Sequence, residues 1–211
     1  MAGQPTEPAG GHRPVLEALV VGNGDPPSPA LLRCLMASRP LLVCADGGAN
    51  AVAACGYVPD YIVGDLDSLT AAGRGTVAPD RLSRIDADNT GTDLQKALRQ
   101  AAGLGVRAAT LTGVTGRRTD HTLWNLGLLR RFAGRLRLRI VDDYCEIRLV
   151  DRRIRFRARI GQKVSLSPLD AAVTGVRTEG LRFALRGESL AAGVRDGISN
   201  EVVANPVQVT V

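Results

Sequence analysis

The chain has 211 residues, a formal net charge of +6, 45% hydrophobic and 23% charged residues. That mix excludes a wholly disordered chain, and no run approaches the ~18 apolar residues that a membrane-spanning helix needs. The excess of positive charge is almost all arginine, since Lys96 and Lys163 are the only lysines. Arginine suits phosphate through its fork of donors, so a nucleic acid or a phosphorylated ligand is the first class to weigh.

Residues 1–14 are rich in Pro, Gly and Ala and read as a mobile tail. The N-terminus lacks a basic n-region, and Glu17 breaks the apolar stretch Val15–Val21, which reads as a strand and not as a signal peptide. The four cysteines (Cys34, Cys44, Cys55 and Cys145) form no CxxC pair. A structural zinc site is not expected, and reduced thiols in a cytoplasm are.

After Val15–Val21 the pattern alternates. Pro29–Ala37 has helical character, Leu41–Ala45 and Tyr61–Val63 are short apolar strands, and Thr92–Ala102 places Leu94, Ala97, Leu98 and Ala101 at helical spacing. Ala108–Leu111 is a strand and Thr122–Phe132 a helix. Short apolar strands alternating with helices predict a Rossmann-like parallel-sheet α/β domain over 15–135. Such sheets bind ligands beyond the carboxyl ends of their strands. The Gly- and Asp-rich segments Gly22–Asp25, Asp46–Asn50, Gly64–Ser68 and Thr112–His121 all fall at those ends.

Near residue 136 the helical signals stop. Arg153–Ile160 alternates strictly, the period of a strand with one wet face. Turn signals recur afterwards, and 136–211 is predicted to be a small antiparallel β-sandwich. From residue 134 onward there are 14 Lys and Arg against 9 Asp and Glu, so +5 of the +6 resides there.

Four segments carry chemistry-bearing side chains. Asp65 and Asp67, two residues apart at a strand end, can both reach a hard cation such as Mg²⁺, which takes one or two carboxylates together with water and phosphate oxygens. An Asx-turn with Asp67 as a helix cap is the plainer alternative. Asp93 opens a helix, either as an acid complementing its dipole or as a third metal carboxylate, with Lys96 one turn later aimed at phosphate. The loop Thr112–His121 offers two glycines and Arg117 and Arg118 for phosphate, though it is not a P-loop, and Asp120 reads first as a helix cap. Gly47 and Gly48 allow close ligand approach at a strand-to-helix turn.

The segments Cys44-Ala-Asp-Gly-Gly-Ala-Asn50, Gly64-Asp-Leu-Asp-Ser68, Asp88-Asn-Thr-Gly-Thr-Asp-Leu-Gln-Lys-Ala97 and Thr112-Gly-Val-Thr-Gly-Arg-Arg-Thr-Asp-His121 stand in an order that resembles the thiamin pyrophosphokinase family. Thr178–Leu185 and Gly197-Ile-Ser-Asn-Glu201 are similar to that family's last motifs. The resemblance runs from about Val20 to the end. It implies an α/β domain, a β-sandwich and a homodimer with sites shared between subunits. It also implies transfer of pyrophosphate from ATP to the hydroxyl of thiamin, with release of AMP. Asp65, Asp67 and Asp93 are the implied Mg²⁺ and catalytic set. Asn23, Asp46, Gly47, Gly48, Ser68, Asn89, Thr92, Lys96, Arg117 and Arg118 are implied on the ATP side. Asp120, Phe183, Ser199 and Asn200 are implied on the thiamin side. Asn89 stands where the family usually has glutamine, and Phe183 where it often has tryptophan.

Two other readings compete. A haloacid-dehalogenase-type phosphatase also opens with a strand and Asp-x-Asp, its first Asp acting as a nucleophile, and Asp142-Asp143 would be its later acidic pair. A nucleic-acid-binding module would use the ladder Arg153, Arg155, Arg157 and Arg159. Only three Phe, three Tyr and one Trp are present for base stacking, which argues against it. The expected partners are thiamin and ATP, without nucleic acid or membrane.

Overall fold

A computed structural model describes residues 16–74, 82–84, 91–169 and 172–211. The expected tail and Asn89 lie outside these described residues. The chain divides into two compact units between Ile147 and Arg148.

The first unit contains, in order, β1 (Glu17–Val21), α1 (Pro29–Met36), β2 (Leu41–Ala45), α2 (Gly48–Ala54), β3 (Tyr61–Gly64), α3 (Ala71–Arg74), β4 (Leu82–Arg84), α4 (Asp93–Gly103), β5 (Ala108–Thr112), α5 (Thr119–Arg131), β6 (Arg137–Val141) and β7 (Glu146–Arg148). The strands form one seven-stranded sheet ordered β4-β3-β2-β1-β5-β6-β7. Pairing is parallel from β4 through to β6. The apolar runs become strands because both faces of the sheet are covered. Leu19, Val20, Val21, Leu42, Val43, Cys44, Ile62 and Val63 are all buried.

Helix α4 packs across β1, β2 and β3. It starts where expected because the Thr92 hydroxyl accepts from the Gln95 N–H, and its inner face buries Leu94, Ala97, Leu98 and Ala101. Helix α1 is capped similarly: Ser28 accepts from the Leu31 N–H, and Pro29 supplies a preset first turn. The sheet order reverses at β1, where the chain passes from β4 on one side to β5 on the other. The loops after β1 and β5 are stitched together there, with Gly22 N–H donating to Thr112 C=O at 2.9 Å and Asp25 N–H to Thr115 C=O at 2.8 Å.

The second unit holds β8 (Arg153–Phe156), β9 (Lys163–Leu166), β10 (Ala172–Glu179), β11 (Arg186–Ala191), β12 (Gly197–Glu201) and β13 (Val207–Thr210). They form two antiparallel sheets, β11-β10-β13-β8 and β12-β9. One core cluster is Val176, Leu185 and Leu190; another is Leu181, Val202 and Val207, with Phe156 and Val164 against it.

Three boundaries depart from the sequence reading. Arg137–Val141 pairs parallel with β5, so the parallel sheet continues past residue 136. The helical signals do stop there, but the strand that follows lies beside β5, and Arg139 bonds the Thr110 hydroxyl on it at 2.9 Å. Helix α5 begins at Thr119, earlier than Thr122. The strand expected over Arg153–Ile160 stops at Phe156, since beyond it the Asn205 side chain takes both the N–H and the C=O of Ala158. The four ladder arginines are exposed, Arg153 and Arg155 on β8 and Arg157 and Arg159 beyond its end.

Two glycines make opposite demands. A Cβ on Gly48, at the start of α2, would lie 2.3 Å from the Val21 carbonyl oxygen, a backbone atom that cannot step aside. Gly127 sits in the exposed face of α5 with nothing within 4 Å of its added Cβ. Gly48→Ala is expected to cost ~1–3 kcal/mol and Gly127→Ala to stabilise by ~0.4–1 kcal/mol. Urea unfolding midpoints of the two variants against the parent check both signs.

Candidate active site

The site grows from the carboxyl ends of β2 and β3. Strand β2 delivers Asp46, which turns with φ +43° into the Gly47-Gly48 start of α2. Strand β3 delivers Gly64 and then Asp65, Leu66 and Asp67. Gly64 has φ +154°, and an added Cβ would meet the Asp46 Cβ at 2.9 Å and the Asp93 Cγ at 3.3 Å. The absence of a side chain at Gly64 is what lets the three acidic elements close up.

Carboxylate oxygens of Asp46, Asp65 and Asp67 lie within 4.8 Å of one another. Asp46 is 5% exposed, and its Oδ1 is buried with no hydrogen-bond partner. An unpartnered buried carboxylate oxygen aimed into an acidic cluster is what a hard cation would satisfy. The donor set is entirely oxygen, which suits Mg²⁺.

The expected metal trio was Asp65, Asp67 and Asp93. Asp93 stands beside the cluster, but its Oδ1 accepts from Lys96 Nζ at 3.3 Å, and Asp46 is the third member of the gathered set. Burial pushes the Asp93 carboxyl above its usual range, Lys96 opposes that, and the charges of Asp65 and Asp46 add to it. Lys96 is itself 6% exposed, and its Nζ makes this ion pair with Asp93. Thr92 is engaged as the cap of α4.

The expected ATP-side residues gather partly. The Asn23 side chain lies on Gly47, within 2.5 Å of where a Cβ would be. Arg117, with φ +50°, donates to both the backbone and the side-chain oxygen of Asn23 at 3.4 Å and stands 3.9 Å from Asp25. Asn23, Asp46, Gly47, Gly48 and Arg117 therefore belong to one neighbourhood. The Ser68 hydroxyl donates to Asp67 at 3.0 Å. Arg118 is turned to Asp120 in a two-bond pair of 3.1 and 2.5 Å, which holds that carboxyl below its usual range.

The acidic pair after β6 serves the loops. Asp142 accepts from the Thr115 hydroxyl and from the Tyr144 and Cys145 N–H groups, and Asp143 accepts from the Ser28 N–H at 2.8 Å and from its hydroxyl. These bonds fasten the β1–α1 and β5–α5 loops and leave the pair no role of the phosphatase kind.

In the second unit, Phe183 is 67% exposed, although a ring of that size is normally covered. Asn200 is 4% exposed, and both ends of its amide are taken: it accepts from the Phe183 N–H at 3.0 Å and donates to the Phe183 C=O at 2.7 Å. These bonds, with a further one in which its Oδ1 accepts from the Glu201 N–H at 2.9 Å, hold the Phe183 backbone beside Asn200. Ser199 is exposed in the left-handed region, φ +59°, its N–H donating to the Ser165 hydroxyl at 3.0 Å. That backbone state is uncommon for a residue with a side chain and must be held by its surroundings.

Residues 32–141 match the family model described as thiamin pyrophosphokinase, catalytic domain, and residues 151–211 match thiamin pyrophosphokinase, vitamin B1 binding domain. Thiamine pyrophosphokinase 1 of Oryza sativa subsp. japonica is 28% identical over 198 residues, spanning 81% of this chain and 75% of the relative. Thiamine pyrophosphokinase of Bacillus subtilis (strain 168) is 25% identical over 175 residues, spanning 77% and 78%. The crystal structure of thiamine pyrophosphokinase from Bacillus subtilis shares the fold, with a TM-score of 0.80 at 22% identity over 92% of this chain and 93% of that one. With both halves of the family matched in order along the chain, and with the acidic cluster lying inside the catalytic half, this chain belongs to the thiamin pyrophosphokinase family and is an enzyme of that class.

Proposed function

We propose that the chain transfers the terminal pyrophosphoryl group of ATP to the hydroxyethyl oxygen of thiamin, and that the transfer takes place at the carboxylate cluster of the first unit. The observation that carries this reading is the convergence of Asp46, Asp65 and Asp67 around a buried, unpartnered Asp46 oxygen. In the reaction a bond forms between the thiamin oxygen and the β-phosphorus. The bond from that phosphorus to the oxygen that bridges it to the α-phosphorus breaks, AMP leaves with that oxygen, and the hydroxyl proton of thiamin is released to water. Catalysis of this kind is positioning and charge neutralisation. Mg²⁺ held by Asp46, Asp65 and Asp67 would neutralise polyphosphate charge. The Gly47-Gly48 turn admits phosphate close to the backbone, and Arg117 beside Asn23 supplies a planar set of donors to the same neighbourhood.

Thiamin is assigned to the second unit, where the exposed Phe183 ring offers a flat apolar face and Ser199 a hydroxyl. A ring face also attracts a cation, and thiamin carries a permanently charged thiazolium. The family resemblance supports a homodimer in which the α/β unit of one chain completes its site with Phe183 and Ser199 of the other. The free state of all four cysteines fits a reducing cytoplasm. Among the described residues no helix is long and apolar enough to cross a membrane.

Incubation with ATP, Mg²⁺ and thiamin should yield thiamin diphosphate and AMP in equal amounts. ADP with thiamin monophosphate as the main products would refute the reading. Asp67→Asn keeps the side-chain size and removes one charge from the cluster. Turnover should fall at least ~100-fold, about 3 kcal/mol of transition-state stabilisation, with the far-UV circular dichroism spectrum retained. A folded variant of near-normal activity would return Asp67 to the role of a turn residue. The shared site is tested by mixing Asp67→Asn with Phe183→Ala homodimers, each shown separately to be inactive. After random subunit exchange, about half the dimers are mixed and half of their sites intact, so roughly a quarter of the parent activity should return. No recovery, with exchange confirmed by native mass spectrometry, would place each site within a single chain.

A further inference from the structure

Asn50 lies on α2, two residues beyond the Gly47-Gly48 turn, and is not a member of the carboxylate cluster. Its side chain nevertheless bonds three groups on the loop that follows β3. Asn50 Nδ2 donates to the Ser68 carbonyl at 2.9 Å. Asn50 Oδ1 accepts from the Thr70 N–H at 3.0 Å and from the Thr70 hydroxyl at 2.9 Å. Thr70 Oγ1 in turn accepts from the Gly73 N–H at 3.2 Å, so the clamp extends into α3.

The loop needs an external clamp. Leu66, between the two exposed carboxylates, has φ +66°, an uncommon backbone state for a branched side chain that surrounding structure must hold. Leu66 and Leu69 anchor the loop from below, buried in the cluster that also contains Ala49 and Val52 of α2. Within the loop itself, the Asp67 N–H donates to Asp65 at 3.3 Å and the Ser68 hydroxyl donates to Asp67. Both of these bonds depend on carboxylates of the cluster itself, whereas the Asn50 bonds use no carboxylate and so hold the loop independently of the cluster's charges.

We propose that Asn50 is a positioning residue for the cation: through Ser68 and Thr70 it fixes the Asp65–Asp67 turn in the conformation that converges on Asp46, and it ties that turn to the Gly47-Gly48 start of α2 as one body. The proposal rests on the reading of the carboxylate cluster as a divalent-cation site. Preorganised ligands spare the ordering cost at the moment of binding, and partners behind a metal's own ligands typically govern ~10–100-fold in affinity. A purely structural role predicts otherwise. Alanine is the better helix former at position 50, and the half-buried side chain leaves no core cavity when truncated.

The test uses Mn²⁺ alone as probe, with free Mn²⁺ read by electron paramagnetic resonance on the full chain and thermal unfolding followed in parallel. The parent chain should bind Mn²⁺ and Asp67→Asn should bind it much more weakly. Equal binding by these two would remove the cation reading and this proposal with it. Asn50→Ala should raise the Mn²⁺ dissociation constant by at least ~10-fold while unfolding cooperatively. Thr70→Ser, which keeps the hydroxyl, should bind as the parent does, and Thr70→Val should be weakened several-fold. Parent-like affinity in a folded Asn50→Ala would overturn the proposal while leaving the cation site standing. Should Asn50→Ala not fold, the Thr70 pair decides: Ser and Val variants of equal affinity would overturn it.

Discussion

Three carboxylates held within 4.8 Å repel one another, and the rest of the catalytic unit is arranged around enduring that repulsion. At such separations each pair of full charges opposes the fold by about 1 to 3 kcal/mol, depending on how far water screens it. The fold supplies the restraint through backbone. Asp46 and Leu66 are both kept at positive φ, and Gly64 gives up its side chain so that Asp46 and Asp93 can approach. Buried leucines hold the loop from the core side. On the proposed reading, a divalent cation at the cluster would convert that repulsion into attraction. Lys96 shows the same economy on a smaller scale: buried beside Asp93, it offsets one acid that the gathered set leaves aside.

The parallel sheet explains why the acids meet where they do. Strand ends on one edge bring together segments separated by tens of residues. Adjacent parallel strands β2 and β3 release Asp46 and Asp65 side by side. The reversal of strand order at β1 opens the neighbouring crevice, where Asn23 and Arg117 meet across loops stitched by backbone bonds. Asp142 and Asp143 then brace those loops from the β6–β7 turn. Asp142 and Asp143 thus take several donors from the loops, whereas Asp46 Oδ1 is buried with none.

The order of strands and helices was legible because burial on both faces demands continuous apolar runs and because Thr92 and Ser28 are recognisable helix caps. The carboxylates Asp65 and Asp67 were legible from their place after an apolar strand. What escaped was whatever depends on contacts distant in sequence. Asp46 carried a glycine-turn signal and nothing in its neighbours announced a carboxylate cluster; only pairing of β2 with β3 puts it beside Asp65. Asn50 reads as one polar residue in a small helix, and its partners lie 18 and 20 residues away. The end of the parallel sheet was misplaced for the same reason. The helical signals stop before residue 136, and nothing local announces that Arg137–Val141 pairs parallel with β5, with Arg139 opposite Thr110.

Asn200 carries the argument about recognition one step further. A polar side chain so near the end of a binding motif invites the reading of a direct ligand contact. Its amide bonds both backbone groups of Phe183 and accepts from the Glu201 N–H, and the Phe183 ring lies in the open. A buried amide with both ends paired is rigid, because any shift leaves a donor or an acceptor without a partner. The ring is therefore presented on a fixed backbone, and binding a flat heterocycle need not first order that backbone. In the second unit a buried asparagine thus constrains the backbone beside an exposed ring, and in the first the half-buried Asn50 constrains the loop beside the exposed carboxylates.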